Sequence, residues 1–167
     1  MVGREQDAAV LRAALRAGRH VLLEGPAGAG KTLLLRHVCR DRRVVEVNAT
    51  TVFSAGGLVG RTDPGRALVS ATSAHRPARA GARPFLPGAL VEAMRAGAVL
   101  VLDEANRLAP DAFAVLVPAM SEGELTVPGL GQVAAAAGFR VVAVANPQDR
   151  IGTGAIPAAF LDGRCGS

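Results

Sequence analysis

Residues 25–32 read Gly25-Pro26-Ala27-Gly28-Ala29-Gly30-Lys31-Thr32, and this stretch decides the predicted fold. Its pattern is G-x-x-x-x-G-K-[ST], in which the glycines let consecutive backbone N–H groups turn inward around an anion. The apolar run 20–24 precedes it, and a helix with an apolar face, from Lys31 to about Arg40, follows it. Such a helix points the positive end of its dipole at a bound phosphate. The stretch therefore predicts a phosphate-binding loop between a buried strand and a helix.

The last two residues of this loop carry the groups that a nucleotide site needs. Lys31 can reach the β- and γ-phosphates as a point charge, and the Thr32 hydroxyl can ligate Mg²⁺. We therefore predict a nucleoside triphosphate and Mg²⁺ as ligands, with residues 25–32 as the binding set. The alternative is a glycine-rich turn that binds nothing.

Polar side chains also follow two other predicted strands, at the point where each strand ends. The apolar run 98–102 leads into Asp103 and Glu104, and the run 140–145 leads into Asn146. Ligands of open α/β sheets bind at this carboxyl edge. Asp103 is predicted to hold Mg²⁺, Glu104 to orient and deprotonate an attacking water, and Asn146 to bond the γ-phosphate or that water. The alternatives are a strand that meets a polar loop and an Asn that forms a turn before proline.

The remaining pattern indicates strands alternating with helices, hence a mainly parallel sheet covered on both faces. Asn48 ends a β-branched run from Val44 and is either a strand-end cap or a polar side chain that contacts Glu104. Residues 49–88, rich in Gly and Pro, are an irregular loop, a disordered segment or a partner-facing insertion.

The pattern also predicts further helices and a hairpin. One helix has Val10, Leu11, Ala14 and Leu15 on its apolar face, and another has Leu90, Val91 and Met94 on one face and ends at Gly97. A helix from Pro110 should be kinked or broken by Pro118, a hairpin lies within 124–139, and a last helix starts near Pro157.

Composition narrows the class of protein. The chain has 167 residues and a net charge of +5, with 19 basic residues of which Lys31 is the only lysine. A basic balance points to nucleic acid or to an acidic partner. The arginines of 61–83 have only the nearby Phe85 as a base-stacking group, so we expect no nucleic-acid partner. No apolar run is long enough for a membrane span or a signal peptide, and Cys39 and Cys165 lack metal-ligand spacing. We expect a cytoplasmic protein without a membrane partner.

The chain resembles the AAA+ ATPases, and within them the MoxR-type and dynein-related group. The resemblance covers nearly the whole chain and rests on the phosphate-binding loop together with other segments that narrow the group. These segments are 2–5 (VGRE), 58–61 (LVGR), 87–97 (PGALVEAMRAG), 102–107 (LDEANR), 138–140 (GFR) and 145–147 (ANP).

The resemblance implies a P-loop NTPase core, a three-layer α/β/α sandwich formed by one domain over residues 1–167. It also implies ATP as the nucleotide, Asn146 as the residue called the first sensor in this family, and Asn48 as the residue that restrains Glu104. Members of the group form hexameric rings, hydrolyse ATP at subunit interfaces and remodel a client. A von Willebrand factor A domain protein is a common partner in that pathway.

The chain departs from the family pattern near its C-terminus. The arginine that completes a neighbouring subunit's site should stand at Gly163 in an ungapped match, whereas Arg164 lies one residue later. The fifth core strand and the helical lid should follow Ser167, so we expect an incomplete core in which the strand before the phosphate-binding loop is a sheet edge. The alternatives to an active ATPase are a non-catalytic nucleotide-binding scaffold and a nucleic-acid-linked motor.

Overall fold

The computed structural model describes residues 4–52, 54–62 and 85–146, and the backbone of 164–166. Its helices are α1 (Glu5–Arg16), α2 (Lys31–Val38), α3 (Ala55–Val59), α4 (Ala89–Ala96) and α5 (Pro110–Ser121), with a 3₁₀ turn over Ala105–Arg107. Its strands are β1 (Val21–Glu24), β2 (Val44–Asn48), β3 (Gly60–Thr62), β4 (Phe85–Pro87), β5 (Val99–Asp103), β6 (Glu124–Val127), β7 (Gly131–Ala134), β8 (Arg140–Ala145) and β9 (Arg164–Gly166).

The central sheet has five strands in the order β2-β5-β8-β1-β9. All four neighbouring pairs are parallel, so the carboxyl ends of the strands meet at one edge. The prediction that β1 would be a sheet edge is wrong, because β9 pairs with it over Leu22–Glu24. Three of the four residues of β1 are therefore paired on that side.

Helices cover both faces of this sheet, which confirms the α/β/α architecture. Alternate strand residues point to opposite faces, and those of β1 show it: Val21 and Leu23 join one buried cluster and Leu22 joins the other. The first cluster packs against α1 and α2, and the second against α3, α4 and α5. The phosphate-binding loop is therefore held between a buried strand and a helix that packs on the sheet.

The predicted hairpin is present as the antiparallel pair β6 and β7. Within 49–88 the structure contains α3 and a second antiparallel pair, β3 with β4. The high Gly and Pro content of this segment had not predicted either. Helix α5 continues through Pro118 to Ser121, so Pro118 does not break it. The helix near Pro157 lies outside the described residues. No helix among the described ranges is long and apolar enough to cross a bilayer.

Helix α1 buries a narrower face than predicted. Leu11 and Leu15 are buried together with Ala8, whereas Val10 is 47% exposed. Residues 8, 11 and 15 follow the spacing of one helix face, and residue 10 lies a hundred degrees or so away from Leu11 on the helical wheel. The apolar character of Val10 was therefore a poor guide to its position.

His20 joins three elements just before β1. Its Nδ1 accepts a hydrogen bond from the Val141 N–H at 2.9 Å, so Nε2 carries the proton and donates to the Met120 carbonyl oxygen at 3.1 Å. The ring also meets Phe139 edge-on, with the centroids 6.0 Å apart. Burial lowers the pKa of His20 and the charge of Arg140 lowers it further, while the bond to Met120 opposes them. His20 is thus a neutral link between β8 and the end of α5.

Candidate nucleotide-binding site

One cleft of about 340 Å³ opens at the carboxyl edge of the sheet. Three separate parts of the chain form it: the loop after β1 with the start of α2, the end of β5, and the end of β8. The lining residues are Ala27, Gly28, Ala29, Gly30, Lys31, Thr32, Leu33, Asp103, Glu104, Val144, Ala145 and Asn146. The structure therefore brings together the predicted phosphate-binding, metal-binding and water-positioning residues.

Two glycines shape the phosphate-binding loop. Gly28 and Gly30 both have φ +75°, which L side chains rarely adopt, and a Cβ at either would meet no atom within 4 Å. Glycine is thus required here by backbone conformation, and the loop encloses open space. Helix α2 begins directly after Gly30, so its N-terminal N–H groups face the cleft.

Lys31 closes this loop from inside. Its Nζ donates to the carbonyl oxygens of Gly25 and Pro26 at 2.6 and 2.8 Å. The Gly25 N–H donates to the Ala145 carbonyl oxygen at 3.3 Å, which ties the loop to the end of β8 beside Asn146. The ammonium group therefore lies within the loop where phosphates would enter, and the loop is joined to the strand that carries the predicted first sensor.

Asp103 and Glu104 stand at the end of β5 in different environments. Asp103 is the last strand residue, and its Oδ1 accepts a hydrogen bond from the Glu104 N–H at 3.0 Å. Glu104 has φ +54° and ψ +38°, a left-handed conformation that turns the chain from β5 into the 3₁₀ turn. Glu104 lines the cleft, and its carboxylate forms an ion pair with Arg107, with Oε2 and Nε 3.0 Å apart.

Sequence reasoning missed Arg107 as a neighbour of the site. The signal was present as an acidic and a basic residue three positions apart after a strand. In a 3₁₀ turn, side chains at i and i+3 lie one above the other, so this spacing brings them together.

Asn48 lies near the two residues predicted to bind the metal. A second cavity of about 140 Å³ is lined by Asn48 together with Thr32 and Asp103, and Glu104 does not line it. The Asn48 Oδ1 accepts hydrogen bonds from the N–H and the hydroxyl of Thr50 at 2.8 and 2.6 Å. The structure therefore places Asn48 beside Thr32 and Asp103, with its amide oxygen bonded to Thr50, and the role of Asn48 in holding Glu104 stays a prediction.

Arg164 is described by its backbone alone. It starts β9, where its backbone is paired with Leu22, two positions before β1 ends. A parallel strand at that register places the Arg164 backbone before the carboxyl edge of the sheet. Gly163 and residues 156–162, also named for the neighbouring-subunit arginine, lie outside the described residues.

The residues present fit a nucleoside triphosphate with Mg²⁺. The loop offers backbone N–H groups, one ammonium and open space above two glycines, which suits phosphate oxygens. Among the described residues, no group of three or more His, Cys, Asp or Glu forms a closed metal cage. Mg²⁺ is commonly held by one or two protein oxygens together with phosphates and waters, and Thr32 and Asp103 supply such oxygens.

The fold and the cleft define a P-loop nucleotide-binding protein. The AAA domain family, dynein-related subfamily, matches residues 20–162, and the chain belongs to this family. The family supports ATP-dependent activity in general. The resemblance seen in the sequence is thereby confirmed.

Similar proteins agree with this assignment. The chain is 31% identical to the uncharacterized protein YeaC of Bacillus subtilis over 97% of its own length and 46% of the relative's. It is 35% identical to the gas vesicle ATPase GvpN of Haloferax mediterranei over 71% of its own length and 36% of the relative's. The chain thus spans less than half the length of these relatives.

Solved structures share the fold. A protein from Cytophaga hutchinsonii, assigned as an ATPase, superposes with a TM-score of 0.69 at 20% identity, covering 100% of this chain and 47% of the other. NtrX from Brucella abortus superposes with a TM-score of 0.63 at 19% identity, covering 89% of this chain and 32% of the other.

Proposed function

We propose that this chain binds Mg·ATP in the cleft between β1, β5 and β8 and hydrolyses it to ADP and phosphate. The observation that supports this is that one cleft contains Lys31, Thr32, Asp103, Glu104 and Asn146, which come from three separate parts of the chain. Catalysis of phosphoryl transfer is largely positioning and charge stabilisation, so this convergence is the essential requirement.

Each residue has a distinct role in the proposal. The N–H groups of the phosphate-binding loop and Lys31 bind the β- and γ-phosphates, which frees the ammonium from the carbonyl oxygens of Gly25 and Pro26. Thr32 and Asp103 hold Mg²⁺, which when bound neutralises charge on the phosphate oxygens. Glu104 accepts the proton of the attacking water, and Asn146 orients that water or bonds the γ-phosphate.

At the level of the whole protein, we propose a MoxR-type remodelling ATPase in which this chain forms a single nucleotide-binding core and assembles into a ring, with six subunits as the expected number. Arg164 is the candidate for the arginine given to a neighbouring subunit, and a von Willebrand factor A domain protein is the candidate partner. The support is membership of the dynein-related AAA family together with the motifs at 87–97 and 102–107.

Phosphate release by the full chain and by Glu104→Gln tests the hydrolysis. The variant should bind ATP as the unchanged chain does but release phosphate about 10² to 10⁴ times more slowly, because only the general base is removed. Glu122→Gln, at an exposed residue after α5, is the matched control and should keep the full rate. ATP binding without phosphate release by the unchanged chain, even at high protein concentration, would show a nucleotide-binding scaffold instead.

A further inference from the structure

The ion pair between Glu104 and Arg107 is built into the turn that follows β5. The Arg107 N–H donates to the Glu104 carbonyl oxygen at 2.8 Å, which closes the turn and brings the two side chains onto one side. Arg107 itself is not among the residues that line the cleft, whereas Glu104 is. The ion pair therefore joins a residue that lines the cleft to one outside its lining.

The turn that carries Arg107 is firmly anchored. Ala105 and Leu108 on either side of it are 1% and 2% exposed, and the Leu108 N–H donates to the Ala105 carbonyl oxygen at 3.2 Å. A cation on an anchored turn restricts the orientation of the carboxylate it pairs with, as the third member of a catalytic triad orients the base.

The pair contributes little to folding stability. The side chains of Arg107 and Glu104 are 51% and 41% exposed, and ion pairs of such exposure are weak contributors to the free energy of unfolding. This ion pair differs from the other described surface ion pairs in its position beside the cleft, not in its contribution to the free energy of unfolding.

We propose that Arg107 is a positioning residue for Glu104: its guanidinium, with Nε 3.0 Å from Oε2, holds that oxygen, which leaves Oε1 to accept a hydrogen bond from the attacking water. This inference rests on the proposed ATPase function and adds a residue that the sequence patterns had not assigned.

The first test needs no nucleotide. In NMR spectra of the full chain, the Arg107 Nε–H signal should shift, and its proton should exchange faster with water, in Glu104→Ala than in the unchanged chain. The Arg43 Nε–H signal is the internal reference, since Arg43 pairs with Glu92 instead, at 3.5 Å. An Arg107 signal that is identical in the two proteins would overturn the pairing and the inference with it.

The second test separates positioning from structure by steady-state kinetics. Arg107→Met should lower kcat about two- to fivefold, the factor that an ion pair of this exposure can supply, with KM and ATP affinity unchanged. Arg107→Lys, which keeps the charge, should recover part of the loss. The control Arg43→Met breaks an ion pair of similar exposure away from the cleft and should keep the full kcat.

The outcomes separate this inference from the proposed function. If the unchanged chain hydrolyses ATP and Arg107→Met has the same or a higher kcat, Arg107 does not position Glu104 and only the inference fails. If the unchanged chain neither binds nor hydrolyses ATP, the proposed function fails and the inference falls with it.

Discussion

Gly97 is the position where the structure makes the sharpest prediction about stability. It ends α4 with φ +61° and leads into β5, the strand that carries Asp103. A Cβ at Gly97 would lie closer than 3.0 Å to the carbonyl oxygen of Ala137, in the turn before β8. Gly97→Ala therefore strains the backbone and also forces apart the connections into β5 and β8.

The magnitude follows from two contributions. A left-handed conformation costs an alanine about 1–2 kcal/mol, and a forced backbone shift in a packed region costs roughly 1–3 kcal/mol more. Gly97→Ala should therefore lower the free energy of unfolding by about 2–5 kcal/mol. Gly123→Ala is the matched control, since Gly123 has φ +69° but nothing within 4 Å of its Cβ position, so only the first contribution applies.

Urea unfolding followed by far-UV circular dichroism measures both variants. With a slope of about 1–3 kcal/mol per molar urea for a small domain, Gly97→Ala should shift the midpoint by about 1 M or more. The shift for Gly123→Ala should be clearly smaller. Equal free energies of unfolding for the two variants, within about 0.5 kcal/mol, would show that the Ala137 carbonyl does not lie against Gly97.

Two further predictions concern His20 and Thr32. Because the pKa of His20 is lowered in the folded chain, the unfolded chain binds the proton more readily. The free energy of unfolding should therefore fall as pH decreases below about 6.5. His20→Gln should lack this contribution, as measured by urea unfolding at several pH values. An equal pH dependence in the two proteins would contradict the neutral, hydrogen-bonded His20. Thr32→Val should abolish the gain in ATP affinity on adding Mg²⁺ while Thr32→Ser keeps it, as measured by calorimetric titration with and without the metal. A gain that survives in Thr32→Val would remove Thr32 from the metal site.

Much of the fold could be predicted because its signals are local. The strands β2 and β8 are rich in valine, and their predicted bounds match the structure. Gly97 closes α4 in a left-handed conformation, as its place after the apolar face indicated. The convergence on the cleft was predictable too, because the carboxyl ends of parallel strands meet at one edge.

The misses arose where tertiary context overrides local pattern. Strand β9 has three residues and exists through its pairing with β1, which no periodicity reveals. Helix α5 accommodates Pro118 while it buries one apolar face, and this packing outweighs one lost hydrogen bond. The hydrogen-bond partner of Asn48 and the ion-pair partner of Glu104 depend on the directions of side chains after a strand end. The register places Asn48 opposite Asp103, yet its amide oxygen bonds Thr50 and Glu104 turns to Arg107.

ATP binding to the cleft is the central claim, and titration of the full chain with Mg·ATP tests it most directly. Lys31→Ala should bind at least about tenfold more weakly, because charge-assisted hydrogen bonds are worth about 1.5–3 kcal/mol. Arg36→Ala removes one positive charge from the same helix at an exposed site and should keep the full affinity. Equal affinity in Lys31→Ala and the unchanged chain, or no binding by either, would contradict the assignment of the cleft.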